Sequence, residues 1–539
     1  MSLTAALVGI LSHVFYFRRG EHHLHGVFYL QLLVAVIIAS VAFLVLAEHT
    51  LSTALSTTFH FVSSYLLGLY TSLLTYRIIL HPLTPFPGPL LPRLSTVFTS
   101  TPHSHSLHLS LYNLHQKYGP YVRIGSSDLS IAHPDALEIV YGAGSRCKKG
   151  LNYELSMPTT SLQLMRDPEQ HHVRRRVWSR AFSDRLLRGY ELRMRDYRRR
   201  LVGRIRELAA ENEPVDIRKW FDLYSFDVMG DLAFGEGFGS LERGEAHWAV
   251  RLLGITAGAV GMFLPAWLFY ILARVPGAAG EFWRFVDFSG ERLVQRFRND
   301  PEIPDLSASL FAPLKGRDIL DITEEERNTL YGDARLILIA GSDTTAGALS
   351  TIFYELLRNP AEIDKLRAEL APYLDNGTTE FPHSKIQHLE HLNGVINEAL
   401  RLYPAVPSAL QRITPPEGIV VDGTHIPGGV QIYTPMHTIG RSDLAYERPL
   451  EFIPERWYSR PDLVKNKNAF APFSLGPFNC IGRPLALMNL RTTIAQLIME
   501  FDIALAPGED GKRFLDDSQD NFVYYFGKLD VVFTPRLTG

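Results

Sequence analysis

Residues 473–482, FSLGPFNCIG, place Cys480 between two glycines and directly before a long, largely apolar run. Pro484 stands where the first turn of a helix would begin, so Cys480 lies at or just before a helix N-terminus, where the helix dipole favours a thiolate. Gly476 and Gly482 would let the backbone bend so that amide N–H groups point at the sulfur. The pattern suits a metal-ligating sulfur, although an ordinary buried thiol fits the same residues.

Composition excludes several other classes of protein. The 539 residues include 54 Lys and Arg against 57 Asp and Glu, which gives no electrostatic reason to expect nucleic-acid binding. Cys480 and Cys147 are the only cysteines, so a disulfide framework is excluded and a reducing compartment is indicated. No HExxH zinc motif and no GxCxG nucleophile elbow occurs, and we interpret HHLH at 22–25 as a polar membrane-side loop rather than a metal site.

The N-terminal region, residues 1–80, is predicted to be a membrane anchor. Residues 27–47 carry no charge and are long enough to cross the hydrocarbon core. Two further uncharged runs, 50–76 and 3–17, allow one to three transmembrane helices. The first residues lack the basic side chains of a cleaved secretory signal, so we expect the anchor to be retained.

The flanking charges predict the orientation of this anchor. Arg18, Arg19 and Arg77 favour the cytosolic side, which makes the turn near Glu48 luminal. Four prolines in residues 81–89 then predict a stiff, extended hinge. The rest of the chain would therefore face the cytosol.

Residues 90–539 show no internal repeat or second change of composition, which predicts one domain. Helical periodicity dominates, as in 385–404 and 484–503, whereas 418–435 alternates like short strands joined by glycine turns. The predicted fold class is mainly α with a small β region, preceded by N-terminal transmembrane helices.

Two groups of polar residues stand in apolar helical surroundings. Asp343 and Thr344 interrupt LILIAGSDTTAGALS, where they could serve chemistry or merely bond to the preceding turn. Glu398 and Arg401 share one helix face. Such a pair is most often a surface salt bridge, but the apolar neighbours here favour burial.

The cysteine loop resembles FxxGxRxCxG of the cytochrome P450 family of haem-thiolate monooxygenases. Phe473, Gly476, Cys480 and Gly482 match, whereas Phe478 replaces an Arg that pairs with a haem propionate in the family. Three further stretches resemble family motifs in the expected order: HHVRRRVWSRAFS at 171–183, AGSDTT at 340–345, and EALR followed by FIPERW. The chain looks most like fungal members of the benzoate and tryprostatin hydroxylase groups, enzymes of aromatic and secondary metabolism.

The resemblance implies roles for individual residues. Cys480 would ligate the iron of haem b, Gly341 would leave room for dioxygen, Thr344 would steady the bound oxygen, and Asp343 would relay protons. The propionates would be held by His171, Arg175 and Arg412. A buried structural network would comprise Glu398, Arg401 and Arg456.

The resemblance also implies partners. With no GxGxxG dinucleotide motif in the chain, electrons would come from a separate NADPH-cytochrome reductase, and cytochrome b5 is a further candidate donor. The substrates would be O2 and a lipophilic small molecule, and the location the endoplasmic reticulum membrane. Candidates for a basic docking face are Arg174, Arg176, Arg180, Lys465 and Lys467. Candidate pocket segments are residues 151–164, 258–272 and 405–410, and residues 258–280 would dip into the membrane.

Two other functions stay open at this point. The same fold could use the haem for isomerisation, dehydration or radical coupling. A non-catalytic membrane haem protein is the third possibility, and loss of Asp343 and Thr344 would have favoured it.

Overall fold

The uncharged N-terminal stretches form three helices in the computed structural model, which describes residues 2–100, 104–211, 213–299, 304–314, 316–374, 379–408 and 410–536. These helices are α1 Ser2–Ser12, α2 Gly26–Leu46 and α3 Leu51–Thr75, and π-helical turns at His13–Phe17 and Tyr76–Leu80 extend α1 and α3. Helix α2 has 21 residues, none of them buried, and is long and apolar enough to cross a membrane. Helices α1 and α3 pack so closely that a Cβ atom on Gly68 would lie 2.0 Å from the carbonyl oxygen of Ala6.

An ion-pair cluster ties the loop before α2 to the body of the protein. The Arg166 guanidinium lies 2.7 Å from carboxylate oxygens of both Glu21 and Glu154. His23 Nε2 lies 2.8 Å from the same Glu154 carboxylate. Because the guanidinium neutralises both acids, the cluster is an ion-pair network rather than a cation site.

Residues 81–89 correct one expectation. Residues 81–86 form turns, with Thr84 N–H donating to the His81 carbonyl at 2.8 Å and Phe86 N–H to the Leu83 carbonyl at 3.1 Å, whereas Pro89 is extended. Leu83 is fully buried in an apolar cluster with Leu129 and Ile432. The expectation of an extended chain was wrong for 81–86, because the fixed φ of proline suits tight turns as well as extended chain and the buried leucine holds the turns in place. The role of residues 81–89 as a hinge stays a prediction.

The body that follows is mainly helical, as predicted. The stretches 385–404 and 484–503, whose periodicity predicted helices, correspond to α19 and α21. The helices are α4 Leu90–Leu94, α5 Val97–Ser100, α6 Leu107–Tyr118, α7 Ala136–Tyr141, α8 Pro168–Ser179, α9 Asp184–Ala210, α10 Ile217–Phe234, α11 Ser240–Arg243, α12 Trp248–Gly261, α13 Ala266–Leu272, α14 Gly280–Arg298, α15 Leu306–Phe311, α16 Glu324–Arg358, α17 Pro360–Leu370, α18 His383–Ile386, α19 Glu390–Leu402, α20 Met436–Gly440, α21 Arg483–Glu500 and α22 Lys512–Asp516. Short 3-10 turns join several of them, including Leu151–Glu154, Pro454–Trp457 and Gly476–Phe478.

The strands are short and form small sheets. They are β1 Tyr121–Arg123, β2 Asp128–Ile131, β3 Lys148–Lys149, β4 Val215–Asp216, β5 Arg412–Ile413, β6 Ile419–Val421, β7 Thr424–Ile426, β8 Gln431–Tyr433, β9 Phe501–Leu505, β10 Gln519–Asn521, β11 Val523–Tyr525 and β12 Asp530–Pro535. One sheet has the order β1-β2-β8-β5-β3, in which only the β2 and β8 pairing is parallel, and a second has the order β4-β12-β9. Strands β6 and β7 form one hairpin and β10 and β11 another, so the glycine-turn prediction for 418–435 is confirmed.

Helix α16 runs through the centre of the helical core. Thr323 caps it in a reciprocal capping box with Glu326, and its 35 residues pack against α10 and α14. The helix is apolar enough to span a membrane by composition, but two-thirds of its apolar window is buried inside the protein. It is therefore the core helix that carries Asp343 and Thr344 to the centre of the molecule.

Candidate functional site

The loop before α21 presents the Cys480 sulfur to backbone amides. Gly482 is the N-cap of α21, and the Cys480 N–H donates to the Phe473 carbonyl at 2.8 Å. The N–H groups of Gly482 and Arg483 point at the sulfur. The side chain is solvent-accessible although protein atoms surround it, so the sulfur faces a recess rather than the outer surface.

The two glycines of this loop serve different purposes. Gly476 has φ +62°, and a Cβ atom there would lie 2.3 Å from the carbonyl oxygen of Tyr141, so both conformation and space require glycine. Gly482 has φ −79°, an ordinary value, and a Cβ atom would meet only the Cys480 sulfur, at 3.8 Å. The expected bend therefore lies at Gly476 alone, and Gly482 contributes its amide.

The electrostatics of the thiol combine opposing effects. Burial raises the pKa of the Cys480 thiol, whereas the two amides and the guanidinium groups of Arg175 and Arg483 lower it. These amides and cations surround the position that a thiolate would occupy. An iron ion would supply the remaining positive charge when it binds the sulfur.

Helix α8 lies against the cysteine loop. Arg175 donates to the Asn479 carbonyl at 2.8 Å and also to the Asn479 side-chain oxygen. The His171 ring lies 4.5 Å from the Phe478 ring, centroid to centroid. Both residues that the motif at 171–183 indicated are thus placed beside Cys480.

A cluster of positive charge surrounds the Phe478 ring. Lys149 and Arg412 are opposite each other on the paired strands β3 and β5, and their charged groups lie 4.7 Å and 5.4 Å from the Phe478 ring centroid. Like charges at directly opposed sheet positions repel. Among the residues that the structure describes, neither cation has a carboxylate partner, and neither does Arg175.

Lys149 illustrates the unfavourable electrostatics of this cluster of cations. Its side chain is buried, and the ammonium donates to the backbone carbonyls of Gln163 at 2.6 Å and Leu162 at 3.3 Å. Burial, with Arg412 and Arg175 nearby, lowers the pKa of Lys149 to about 6. Burial and the charges of Lys149, Arg175 and Arg412 lower the pKa of His171 to about 3.

These residues fit the haem that the resemblance implies. A buried group of cations without counter-ions is costly unless an anion joins it, and two carboxylates at the edge of a macrocycle would supply that charge. Cys480 would bind the iron, while Lys149, Arg175 and Arg412 would hold the propionates. Lys149 was missed by the sequence analysis because a KK pair before a glycine is typical of solvated surface.

Thr344 and Asp343 follow one another on α16 but have different partners. The Thr344 hydroxyl donates to the Ala340 carbonyl at 2.6 Å. The Asp343 carboxylate accepts a hydrogen bond of 2.5 Å from the Tyr525 hydroxyl. Burial raises the pKa of Asp343 to about 6, although the Tyr525 bond and the Arg218 charge oppose the shift.

Gly341 lies where α16 packs against α10. A Cβ atom at this position would lie 2.4 Å from Cε of Met229 on α10. The missing side chain therefore permits the close packing of α16 on α10, and its role in leaving room for dioxygen stays a prediction.

Glu398, Arg401 and Arg456 form a buried network. The Arg401 guanidinium donates to Glu398 at 2.8 Å and 2.9 Å, and Arg456 Nε donates at 3.2 Å. Trp457 Nε1 and the Ile453 N–H donate to the same carboxylate at 2.9 Å and 3.0 Å. The remaining guanidinium hydrogens bind backbone carbonyls of the segment 440–463, so the network fastens α19 to the chain that leads to the cysteine loop.

Arg174 corrects the predicted basic face. Its guanidinium lies 2.6 Å from the carboxylate of Asp333, which is fully buried. Asp333 also accepts from Trp178 Nε1 and from the Leu162 N–H, both at 2.8 Å. Arg174 therefore joins α8 to α16 inside the protein and is not available for docking.

The other predicted docking residues lie at the surface. Arg176 and Arg180 are exposed. Lys465 is exposed and pairs with Glu447 at 2.9 Å, and Lys467 is also exposed. A docking role for these four residues stays a prediction.

The predicted pocket segments lie in different parts of the fold. Residues 151–164 are joined to α16 because the Leu162 N–H donates to Asp333. Residues 258–272 comprise the end of α12 and all of α13, and α13 packs against α2. In the third segment, 405–410, the Ala405 carbonyl accepts from Tyr524 N–H at 2.9 Å, and Ala409 lies outside the described residues. The lining of a substrate pocket by these segments stays a prediction.

Lys149→Met is expected to accelerate haem release about tenfold or more, because it removes a charge-assisted hydrogen bond worth about 1.5–3 kcal/mol. The measurement is transfer of haem to excess apomyoglobin. Lys148→Met is the matched control, since Lys148 is adjacent and exposed. Equal release rates from the two variants would show that Lys149 does not hold a propionate.

Several known proteins are similar to this chain. The cytochrome P450 family model matches residues 85–525. The chain is 47% identical over 536 residues to the cytochrome P450 monooxygenase notG' of Aspergillus versicolor, covering 99% of this chain and 98% of the relative. It is 45% identical to the tryprostatin B 6-hydroxylase of Neosartorya fischeri, with the same coverage of both chains. The crystal structure of the cytochrome P450DA heme domain is 18% identical with a TM-score of 0.67, covering 84% of this chain and 98% of that one, and shows the shared fold.

Proposed function

Because the chain belongs to the cytochrome P450 family and is a monooxygenase of that family, we propose that it is a membrane-anchored hydroxylase of a lipophilic small molecule in fungal secondary metabolism. The observation that carries this proposal is the 45% identity, over 99% of the chain, to tryprostatin B 6-hydroxylase. The family implies haem with thiolate-ligated iron. Tryprostatin B, or a molecule similar to it, is the first substrate to test.

The haem held at Cys480 would supply reductive activation of dioxygen and transfer of one oxygen atom to the substrate. The protein's own residues determine the environment of that reaction. The amides of Gly482 and Arg483 hold the sulfur, and Lys149, Arg175 and Arg412 would hold the propionates. Thr344 and Asp343 provide a hydroxyl and a carboxyl group of raised pKa for delivering protons from water.

The N-terminal helices support a location at a membrane, and we propose that this membrane is the endoplasmic reticulum. Helix α2 has the length and apolar composition of a membrane span. Helix α13 packs beside its start, where Ile271 Cδ1 would lie 2.8 Å from a Cβ atom on Gly26. The exposed apolar side chains of Trp267, Leu272 and Val275 would then lie at the level of the membrane surface.

Electrons would come from a membrane-bound NADPH-cytochrome reductase, with cytochrome b5 as a further candidate donor. The chain contains no GxGxxG motif of its own. Arg176 and Arg180, exposed at the end of α8 beside the cysteine loop, are the best-placed cations for an acidic docking face.

The test combines the full-length protein in membranes with NADPH-cytochrome reductase, NADPH and tryprostatin B. We expect a product that is one oxygen atom heavier and that forms only when NADPH, O2 and the reductase are all present. A product of unchanged mass would instead support isomerisation. If tryprostatin B neither shifts the Soret band nor is consumed, it is not the substrate, and the proposed hydroxylation of this class of molecule fails.

A further inference from the structure

The C-terminal hairpin reaches the relay carboxylate of α16. Strands β10 and β11 pair antiparallel, with Gln519 opposite Tyr525, and β11 runs along α16 so closely that a Cβ atom on Gly347 would lie 3.3 Å from the Tyr524 carbonyl oxygen. One turn of α16 earlier, the Tyr525 hydroxyl donates to Asp343 Oδ2 at 2.5 Å. The two partners are 182 residues apart in sequence.

The only other charge that faces Asp343 in the described structure is Arg218 of α10. Its guanidinium carbon lies 5.9 Å from the Tyr525 ring centroid, and the same guanidinium forms an ion pair with Asp222. Asp222 is partly exposed, at 29%, so this series of side chains leads from the surface to α16. Burial and the Asp343 charge raise the pKa of Tyr525 well above 10, so its hydroxyl stays protonated and donates.

This bond directs Asp343 away from Thr344. The Thr344 hydroxyl is turned to the Ala340 carbonyl, and no hydrogen bond joins it to the neighbouring carboxylate among the described contacts. For Asp343 to hand a proton toward Thr344, the carboxyl group must either leave Tyr525 or exchange its proton through the phenol. The strength of the Tyr525 hydrogen bond therefore determines when Asp343 can deliver a proton toward Thr344.

The hairpin is also fastened to a predicted pocket segment. Tyr524 N–H donates to the Ala405 carbonyl at 2.9 Å, and the Ser408 hydroxyl donates to the Asp520 carboxylate. Phe522 at the turn has φ +72°, in the left-handed region. A molecule that displaces residues 405–408 or the hairpin would therefore move the Tyr525 hydroxyl relative to Asp343.

We propose that Tyr525 is a positioning residue for Asp343, tethering the relay carboxylate to the C-terminal hairpin so that displacement of the hairpin releases it for proton delivery. This inference rests on the proposed function, since it assigns a partner to the same relay group. A purely structural hydrogen bond would also shift the titration of Asp343, but it would leave the fraction of NADPH lost as hydrogen peroxide unchanged.

The test uses the full-length holoenzyme, reduced and bound to carbon monoxide, and follows the CO stretching frequency against pH. We expect a titration with a midpoint near pH 6 in the unaltered protein, and its loss in Asp343→Asn. In Tyr525→Phe the midpoint should rise by about one pH unit, because a hydrogen bond that favours the charged carboxylate has been removed. Arg218→Gln should shift the midpoint in the same direction without altering the hairpin.

The matched control is Tyr524→Phe, whose hydroxyl does not bond Asp343 and whose midpoint should not move. A second measurement is the fraction of consumed NADPH recovered as hydrogen peroxide, which should change in Tyr525→Phe and not in Tyr524→Phe. An unchanged midpoint in Tyr525→Phe, an equal shift in Tyr524→Phe, or a shifted midpoint with an unchanged peroxide fraction in Tyr525→Phe would overturn the tether. Absence of a thiolate-type CO complex in the unaltered protein would instead count against the proposed function.

Discussion

Cys480→Ala is expected to abolish the strongly red-shifted Soret band of the reduced, CO-bound protein. The sulfur is held by the amides of Gly482 and Arg483 beside Arg175, and alanine offers no ligand in its place. The shifted band depends on thiolate ligation, so we expect complete loss rather than partial reduction. The measurement is the carbon monoxide difference spectrum of the dithionite-reduced protein.

Cys147→Ala is the matched control for this experiment. Cys147 is the other cysteine, and burial raises the pKa of its thiol. Such a thiol has little thiolate character and is a poor candidate ligand. Retention of the shifted band in Cys147→Ala and its loss in Cys480→Ala would establish the ligand, whereas identical spectra for Cys480→Ala and the unaltered protein would reject Cys480.

Glu398→Ala is expected to destabilise the protein by about 3–5 kcal/mol, because it leaves two buried guanidinium groups without their carboxylate. Glu398, Arg401 and Arg456 have fully buried side chains, and Trp457 Nε1 would also lose its acceptor. The measurement is the denaturant midpoint followed by haem absorbance. We expect low haem content in the variant even before denaturant is added.

The control is Glu451→Ala in the same segment. Glu451 also pairs with an arginine three residues away, Arg448, but both side chains are more than half exposed, at 52% and 56%. An exposed pair of this kind contributes about 0–1 kcal/mol. If the two variants unfolded at the same midpoint, the buried network would not be what holds α19 against the segment leading to the cysteine loop.

Local spacing was enough to predict much of the fold and of the site. The position of Cys480 before α21 could be predicted from the proline and glycine that mark a helix start. The shared face of Glu398 and Arg401 follows from their separation by three residues, and the strand alternation in 418–435 follows from the period of two. Helix bounds, strand alternation and burial of one face all depend on neighbours within a few residues.

The corrected expectations share one cause. Arg174 was assigned to a docking face because charge runs are usually solvated, yet Asp333 lies opposite it across the core. In residues 81–89, the prolines did not reveal that Leu83 would anchor turns.

The sequence by itself therefore determined the helical class, the family, the local setting of Cys480 before a helix, and the residues able to serve a haem. Only the tertiary structure decided which distant groups meet: Lys149 with Arg412 across two short strands, and Tyr525 with Asp343. The physical reason is that helix and strand patterns arise from contacts between near neighbours, whereas the partner of a buried charge is selected by packing between elements far apart in the chain.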